Sequence, residues 1–67
     1  MEISARNRLE GTVRSVLGTV MSEVVLDIGG QEMVAAITRS SVERMGLREG
    51  SEAIAVIKAT DVMVATP

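Results

Sequence analysis

The chain has 67 residues, no cysteine, no histidine and no aromatic residue, and its net charge is −2 at pH 7. These features exclude a disulfide framework and a zinc site built from histidine or cysteine, and they argue against binding nucleic acid or a membrane surface through bulk charge. Hydrophobic residues still make up 46% of a chain whose length lets it bury only about 60% of its unfolded surface. We therefore expect a single domain, residues 1–67, that is stabilised by assembly with further copies.

Three β-strands are predicted in the first half of the chain. Residues 9–14 alternate between apolar and polar side chains, which is the pattern of a strand with one buried face. A second alternating stretch covers residues 19–28 and places Ser22 on the same face as several apolar residues. The pair Gly29 and Gly30 predicts a hairpin turn, because both residues tolerate positive φ, and it leads into a third strand over residues 31–38.

The third predicted strand is apolar on both faces. We therefore expect one face to pack in the core and the other to contact a neighbouring subunit. Beyond it, Ser40 and Glu43 have the spacing of a capping box, and Gly46 marks the end of a helix of one to two turns. A fourth strand is predicted over residues 52–58 and a short fifth strand over residues 62–65.

The order of these elements predicts an all-β fold with one short helix. Five short strands with a helix between the third and the fourth match a five-stranded OB-like barrel. Periodicity alone leaves a five-stranded SH3-like barrel open as the alternative, and the position of the helix favours the OB-like barrel.

Two short segments carry side chains that are suited to an oxyanion. Residues 4–9 read Ser-Ala-Arg-Asn-Arg-Leu, and the fourth predicted strand ends in Ile-Lys-Ala-Thr at residues 57–60. Arginine presents a rigid fork of N–H donors and keeps its charge, so a Ser-x-Arg pair suits a small oxyanion. Together the segments supply two cations, two hydroxyls and loop amides, without a carboxylate. The side chains concerned are Ser4, Arg6, Lys58 and Thr60.

These segments are part of a longer series of motifs. The motifs are Ser-Ala-Arg-Asn at 4–7, Gly-x-Val at 11–13 and 18–20, Val-x-Ala-Ile-Thr at 34–38, Gly-Leu-x-x-Gly at 46–50 and Ile-Lys-Ala-Thr at 57–60. In this combination the chain resembles, over essentially its whole length, the molbindins, small cytoplasmic molybdate-binding proteins built from Mop (TOBE-type) domains. The resemblance implies an OB-like fold, a hexamer assembled as a trimer of dimers, and oxyanion sites between subunits.

The resemblance also implies which residues bind the anion. Those implied at the principal site are Ser4, Arg6 and the backbone of Ala5 of one subunit, with Lys58, Thr60 and the backbone of Ala59 across the interface. The resemblance implies that Thr19 and Val20 also line an oxyanion site. Some members of the family have a second site on a symmetry axis. For that site we consider the start of the predicted helix, because free N–H groups there attract anions. The residues of this second candidate site are Thr38, Ser40 and Ser41.

The chemistry of the donors agrees with molybdate as the ligand. Molybdate is a tetrahedral dianion that is deprotonated near neutral pH, so it only accepts hydrogen bonds, whereas phosphate keeps a proton and needs an acceptor. A site of Arg, Lys, hydroxyl and backbone N–H groups therefore favours molybdate, tungstate or sulfate. A carboxylate of Glu2 or Asp61 that pointed into the site would contradict this interpretation.

The expected function is binding of molybdate or tungstate for intracellular storage, buffering or delivery, with no cofactor and with molybdenum bound as the oxyanion rather than as a metal ion. An oxyanion-responsive regulatory module is an alternative, although the sequence contains no P-loop or DNA-binding helix pair. An OB-type nucleic-acid-binding domain would need aromatic side chains for base stacking. An enzyme would lack a histidine or cysteine as base or nucleophile. No membrane-spanning stretch or signal peptide is recognised, so we expect a cytoplasmic location and no membrane partner.

Overall fold

A computed structural model of the chain describes residues 2–67. The elements, in chain order, are β1 (Asn7–Leu17), β2 (Met21–Ile28), β3 (Gln31–Thr38), α1 (Arg39–Met45), β4 (Glu52–Ile57) and a 3₁₀ turn (Ala59–Asp61). The strands form one antiparallel sheet in the order β3-β2-β1-β4. The prediction of a mostly β fold with one short helix is confirmed.

Strand β1 organises the sheet because it pairs with two strands along different parts of its length. Residues 7–12 pair with β4, and residues 12–17 pair with β2. A bulge between Val13 and Ser15 bends the strand between these parts. Gly11 allows β1 and β2 to approach closely, because a Cβ at this position would lie 2.5 Å from the carbonyl oxygen of Asp27. The sheet is therefore curled rather than flat.

The predicted fifth strand is wrong for the single chain, since the sheet formed by residues 2–67 has four strands. After β4 the chain enters the 3₁₀ turn, where the N–H of Asp61 donates to the carbonyl oxygen of Lys58 at 2.9 Å. This turn carries the chain away from the sheet before a further ladder can form. Residues 62–67 follow without regular structure, and Met63 and Val64 are 94% and 90% exposed. An alternating apolar pattern becomes a strand only where a partner edge is within reach.

The core lies between the curled sheet and α1. Its buried apolar residues are Val13, Val24, Leu26 and Val42. Ser22 is fully buried on the same face of β2, and its hydroxyl donates to the carbonyl oxygen of Gly18 at 3.0 Å. A polar side chain is tolerated there because its hydrogen bond is satisfied. The prediction that Ser22 shares a face with apolar residues is confirmed for Val24 and Leu26. The predicted start of the strand at residue 19 is too early, because Val20 lies before β2 and is 80% exposed.

The two apolar faces of β3 have different surroundings. Met33 and Ile37 pack against the core, whereas Val34 on the opposite face is 57% exposed. The contact of this second face with a neighbouring subunit remains a prediction. In the single chain, the second face leaves the branched apolar side chain of Val34 on an open surface of the sheet.

Helix α1 begins two residues earlier than a Ser40 cap would place it. Thr38 is the N-cap, in an extended conformation at the end of β3, and its Oγ1 accepts from the N–H of Ser41 at 3.2 Å. The predicted capping box at Ser40 is therefore wrong, because the strand itself supplies the cap. The predicted end is confirmed: Gly46 has a φ of 65°, and the N–H of Leu47 donates back into the helix at 3.0 Å.

An ion triad links three strands on the outer face of the sheet. The Nη2 of Arg14 on β1 lies 2.7 Å from the Oδ2 of Asp27 on β2, and its Nη1 lies 3.2 Å from the Oε1 of Glu32 on β3. The hydrogen bond from Arg14, together with one from the N–H of Gly30 at 2.8 Å, lowers the pKa of the Asp27 carboxyl. Asp27 in turn raises the pKa of Arg14. Arg14 is thus a cross-strand link rather than an isolated solvated charge.

The depressed pKa of Asp27 gives a pH-dependent contribution to stability. Because its pKa is lower in the folded state, the ionised carboxylate stabilises the fold above the unfolded value of about 3.9, and this contribution disappears as the pH falls through the folded pKa. We expect Asp27→Asn to lower the unfolding temperature at pH 7 and to have little effect at pH 2. Thermal unfolding at both pH values, with Glu49→Gln as an exposed control, measures this difference. An equal effect of Asp27→Asn at both pH values would contradict the assignment.

Candidate functional site

The segment that precedes β1 is held to the strand by hydrogen bonds from a side chain of the strand to backbone carbonyl oxygens of the segment. Ala5 is buried, with 9% of its surface exposed. The guanidinium of Arg8 on β1 donates from Nη2 to the carbonyl oxygen of Ile3 at 3.2 Å and from Nε to that of Ala5 at 3.4 Å. Ser4 and Arg6, the two neighbours of Ala5, are both exposed. The segment therefore has a fixed centre and presents its polar side chains to solvent.

The segment that follows β4 is a short turn rather than a continued strand. Lys58 is the residue before the 3₁₀ turn, in an extended conformation, and its carbonyl oxygen accepts from Asp61. The N–H groups of Ala59 and Thr60 stand at the start of this turn and have no partner within it. They are donors that a ligand can use.

The register between β1 and β4 brings the two segments together. Asn7 pairs with Ile57 at the end of the β1–β4 ladder, so Arg6 and Lys58 are the residues that adjoin this last pair, just outside the two strands. The Nδ2 of Asn7 also donates to the carbonyl oxygen of Ile57 at 3.2 Å. The segments border one open depression of about 220 Å³. Its lining residues are Ser4, Ala5, Arg6, Lys58, Ala59 and Thr60. A second subunit is not needed to bring these six residues together.

The charge of this depression suits an anion. Two of its six lining residues are cationic and none is acidic, so Glu2 and Asp61 do not line it. Among residues 2–67, neither Arg6 nor Lys58 forms a salt bridge. A larger depression of about 560 Å³ on the sheet is lined in part by Glu10 and Glu52, whose carboxylates repel anions. Charge rather than size therefore identifies the candidate site.

Thr19 and Val20 lie away from this depression. They occupy the turn between β1 and β2, at the opposite end of the 11-residue strand β1. At about 3.3 Å per residue, the strand separates the two places by roughly 35 Å of chain. Val20 is 80% exposed, and its carbonyl oxygen accepts from the N–H of Arg39 at 2.9 Å. These two residues can complete the depression only from another copy of the chain.

The residues of the second candidate site adjoin the Thr19–Val20 turn, since Met21 pairs with Thr38. Their hydroxyls bond to one another: the Oγ1 of Thr38 lies 3.1 Å from the Oγ of Ser40 and donates to the Oγ of Ser41 at 2.9 Å. The N–H of Ser41 is also engaged, by Thr38. Fewer free donors remain here than in the depression around Arg6.

Two residues beside the depression were not assigned by sequence reasoning, namely Asn7 and Arg8. Their signal in the sequence is their position directly after Arg6, at the first residues of β1. Within residues 2–67, no group of three or more acidic residues is arranged to hold a metal ion. In the same range, no helix has the length and apolar character needed to cross a membrane.

Several known proteins that are similar to this chain are named for binding molybdate or molybdenum-pterin. The family model described as the TOBE domain matches residues 3–64. "Molybdenum-pterin-binding protein 3" of Clostridium pasteurianum is 52% identical over 66 residues, covering 96% of this chain and 97% of that protein. A molybdate-binding protein from Sporomusa ovata superimposes with a TM-score of 0.92 at 46% identity, covering 98% and 100% of the two chains. The cytoplasmic molybdate-binding protein ModG, in a form with molybdate bound, gives a TM-score of 0.92 at 42% identity over 100% of this chain and 49% of ModG.

Proposed function

This chain belongs to the TOBE domain family as a single Mop-type domain, and we propose that it binds molybdate, and also tungstate, in the depression formed by the segments around Arg6 and Lys58. The observation that carries the proposal is the composition of that depression, which combines two cations, two hydroxyls and free backbone N–H groups without a carboxylate. The relatives support it, because ModG was crystallised with molybdate bound.

The donor set explains why molybdate is preferred to phosphate. Arginine, lysine and backbone amides only donate hydrogen bonds, and a hydroxyl can donate as well. A dianion without protons can accept from all of them, whereas phosphate carries a proton that would lack an acceptor. Charge-assisted hydrogen bonds from Arg6 and Lys58 supply most of the binding free energy, since such bonds are about twice as strong as neutral ones.

We further propose that the protein is a homo-oligomer, a hexamer built as a trimer of dimers. Several apolar side chains are exposed in the single chain, among them Val20, Val34 and Met63. The outer edges of β3 and β4 have no strand beside them in the sheet. In the assembly, residues 62–65 of one copy form the fifth strand against an open edge of another, and a neighbour's Thr19–Val20 turn closes the depression. The role of such an assembly is storage, buffering or delivery of molybdate in the cytoplasm.

Anion binding is expected to stabilise the folded assembly. A ligand that binds only the folded state at 100 times its Kd adds about 2.7 kcal/mol per site. We therefore expect the melting temperature to rise with added molybdate or tungstate, and to rise less with phosphate at equal ionic strength. Differential scanning calorimetry measures the shift, and native mass spectrometry counts the bound anions per subunit. A melting temperature that does not respond to molybdate, with no retained anion in the mass spectrum, would contradict the proposed function.

A further inference from the structure

The depression depends on two segments that β1 must hold in place. Arg6 and Lys58 lie directly beyond the last pair of the β1–β4 ladder, outside both strands. Both residues are cationic, so they do not attract each other across the end of the ladder. Residues 2–6, the described part of the segment before β1, pair with no strand of the sheet. The ladder thus stops short of both segments, and other contacts hold them in place.

The side chain of Arg8 fixes the first segment. Its Nη2 and Nε donate to the carbonyl oxygens of Ile3 and Ala5, the residues on either side of Ser4. Arg8 does not line the depression, and the two carbonyl oxygens each accept a hydrogen bond from it. A carbonyl oxygen is an acceptor and would repel an oxyanion. Arg8 thus holds the backbone around Ser4 and neutralises two oxygens that are unfavourable to an anion.

The side chain of Asn7 fixes the second segment. Its Nδ2 donates to the carbonyl oxygen of Ile57, the residue immediately before Lys58, and this bond joins parts of the chain that are 50 residues apart. Asn7 is half-buried, so water competes less well for the bond than at an exposed site. The bond reinforces the ladder at its last pair, directly before Arg6 and Lys58.

We infer that Asn7 and Arg8 are positioning residues of the anion site: they hold the two donor segments in their binding geometry without touching the anion. This inference rests on the proposed function. When the donors of a site are fixed before binding, the entropic cost of ordering them does not reduce the affinity. The two residues therefore control affinity, although neither is in the depression.

The test combines titration with backbone dynamics in Arg8→Ala and Asn7→Ala, and uses Arg48→Ala as the matched cation control. Arg48 lies in a turn, and its side chain forms no salt bridge within residues 2–67. We expect each of the first two variants to bind molybdate about five- to tenfold more weakly in calorimetric titrations, and Arg48→Ala to match the unmodified protein. In the anion-free protein, the ¹⁵N order parameters of Ser4 to Arg6 should fall in Arg8→Ala from about 0.85 toward about 0.6, and recover with saturating molybdate.

The variant Arg8→Lys distinguishes a role in holding the segment from a role in attracting the anion by charge. It keeps the positive charge and loses the planar guanidinium fork. Weakened binding together with mobile Ser4–Arg6 amides in this variant supports positioning. Unchanged affinity in Arg8→Lys with those amides mobile would show that Arg8 acts by charge and would overturn the inference, as would rigid amides in Arg8→Ala. If the unmodified protein binds no molybdate, the proposed function fails, while the order parameters of the anion-free variants still decide whether Arg8 holds the segment. Asn7→Ser, which keeps a short polar side chain, replaces Asn7→Ala if that variant does not fold.

Discussion

Replacing Arg6 by alanine is expected to weaken molybdate binding about tenfold to a hundredfold, because a charge-assisted hydrogen bond contributes about 1.5–3 kcal/mol. Arg6 presents several donors in a fixed fork and forms no salt bridge within residues 2–67, so its charge is available to the anion. Lys58→Ala should have an effect in the same range, since Lys58 borders the same depression. Ser4→Ala removes only a neutral hydroxyl and should cost about 0.5–1.5 kcal/mol. Calorimetric titration with molybdate measures all three variants.

The control for these variants must be a cation without a structural partner. Arg14 is unsuitable, because it links Asp27 and Glu32 across the sheet and its loss would destabilise the protein. Arg48→Ala in the turn before β4 is suitable and should leave affinity unchanged. If Arg48→Ala lost as much affinity as Arg6→Ala, the depression around Arg6 would not be the site. Comparable melting temperatures for Arg6→Ala and Arg48→Ala would show that the difference arises from binding.

Features that depend on neighbouring residues could be predicted from the sequence. The Gly29–Gly30 hairpin, the buried face of β2 with Ser22, and the end of α1 at Gly46 are all present. Each depends on local backbone conformation or on the alternation of apolar and polar side chains along one strand. The start of α1 was misplaced, because Thr38 serves both as the last residue of β3 and as the cap, and the spacing of Ser40 and Glu43 does not reveal this double role.

Features that depend on register between distant strands could not be predicted from local pattern. The ion triad of Arg14, Asp27 and Glu32 forms because three strands align these residues, and each alone reads as a solvated charge. The adjacency of Arg6 and Lys58 arises in the same way from the β1–β4 ladder. The grouping of these two cations in one site came from the family resemblance, and the role of the two residues in binding is still a prediction.

The missing fifth strand belongs to the same class of feature. The pattern of residues 62–65 is that of a strand, but a strand also requires an edge to pair with, and the 3₁₀ turn directs this tail away from its own sheet. An exposed apolar tail and two open sheet edges in one chain are complementary features. Pairing of the tail with a sheet edge of a second copy would bury the apolar tail and provide a hydrogen-bonding partner for the open edge. This is the arrangement that we propose.

Substitution of Val64 by proline is therefore expected to weaken the assembly. Proline has no N–H to donate to a ladder, so each substituted tail loses an inter-chain hydrogen bond of about 0.5–1.5 kcal/mol, which corresponds to a roughly two- to tenfold weaker association at each contact. Val64 is 90% exposed in the single chain, so proline there should leave the protomer folded. Sedimentation velocity over a dilution series should show Val64→Pro dissociating at higher concentrations than the unmodified protein, if the tail forms the proposed contact.

The matched control is Thr66→Pro, which lies beyond the predicted strand and should leave assembly unchanged. Equal masses for Val64→Pro and the unmodified protein at every concentration would contradict a role for the tail. Because the six lining residues lie in one chain, the dissociated variant should still bind molybdate, more weakly by the contribution of the neighbour's Thr19–Val20 turn. Complete loss of binding on dissociation would instead mean that the donors around Arg6 and Lys58 cannot hold the anion without a second copy.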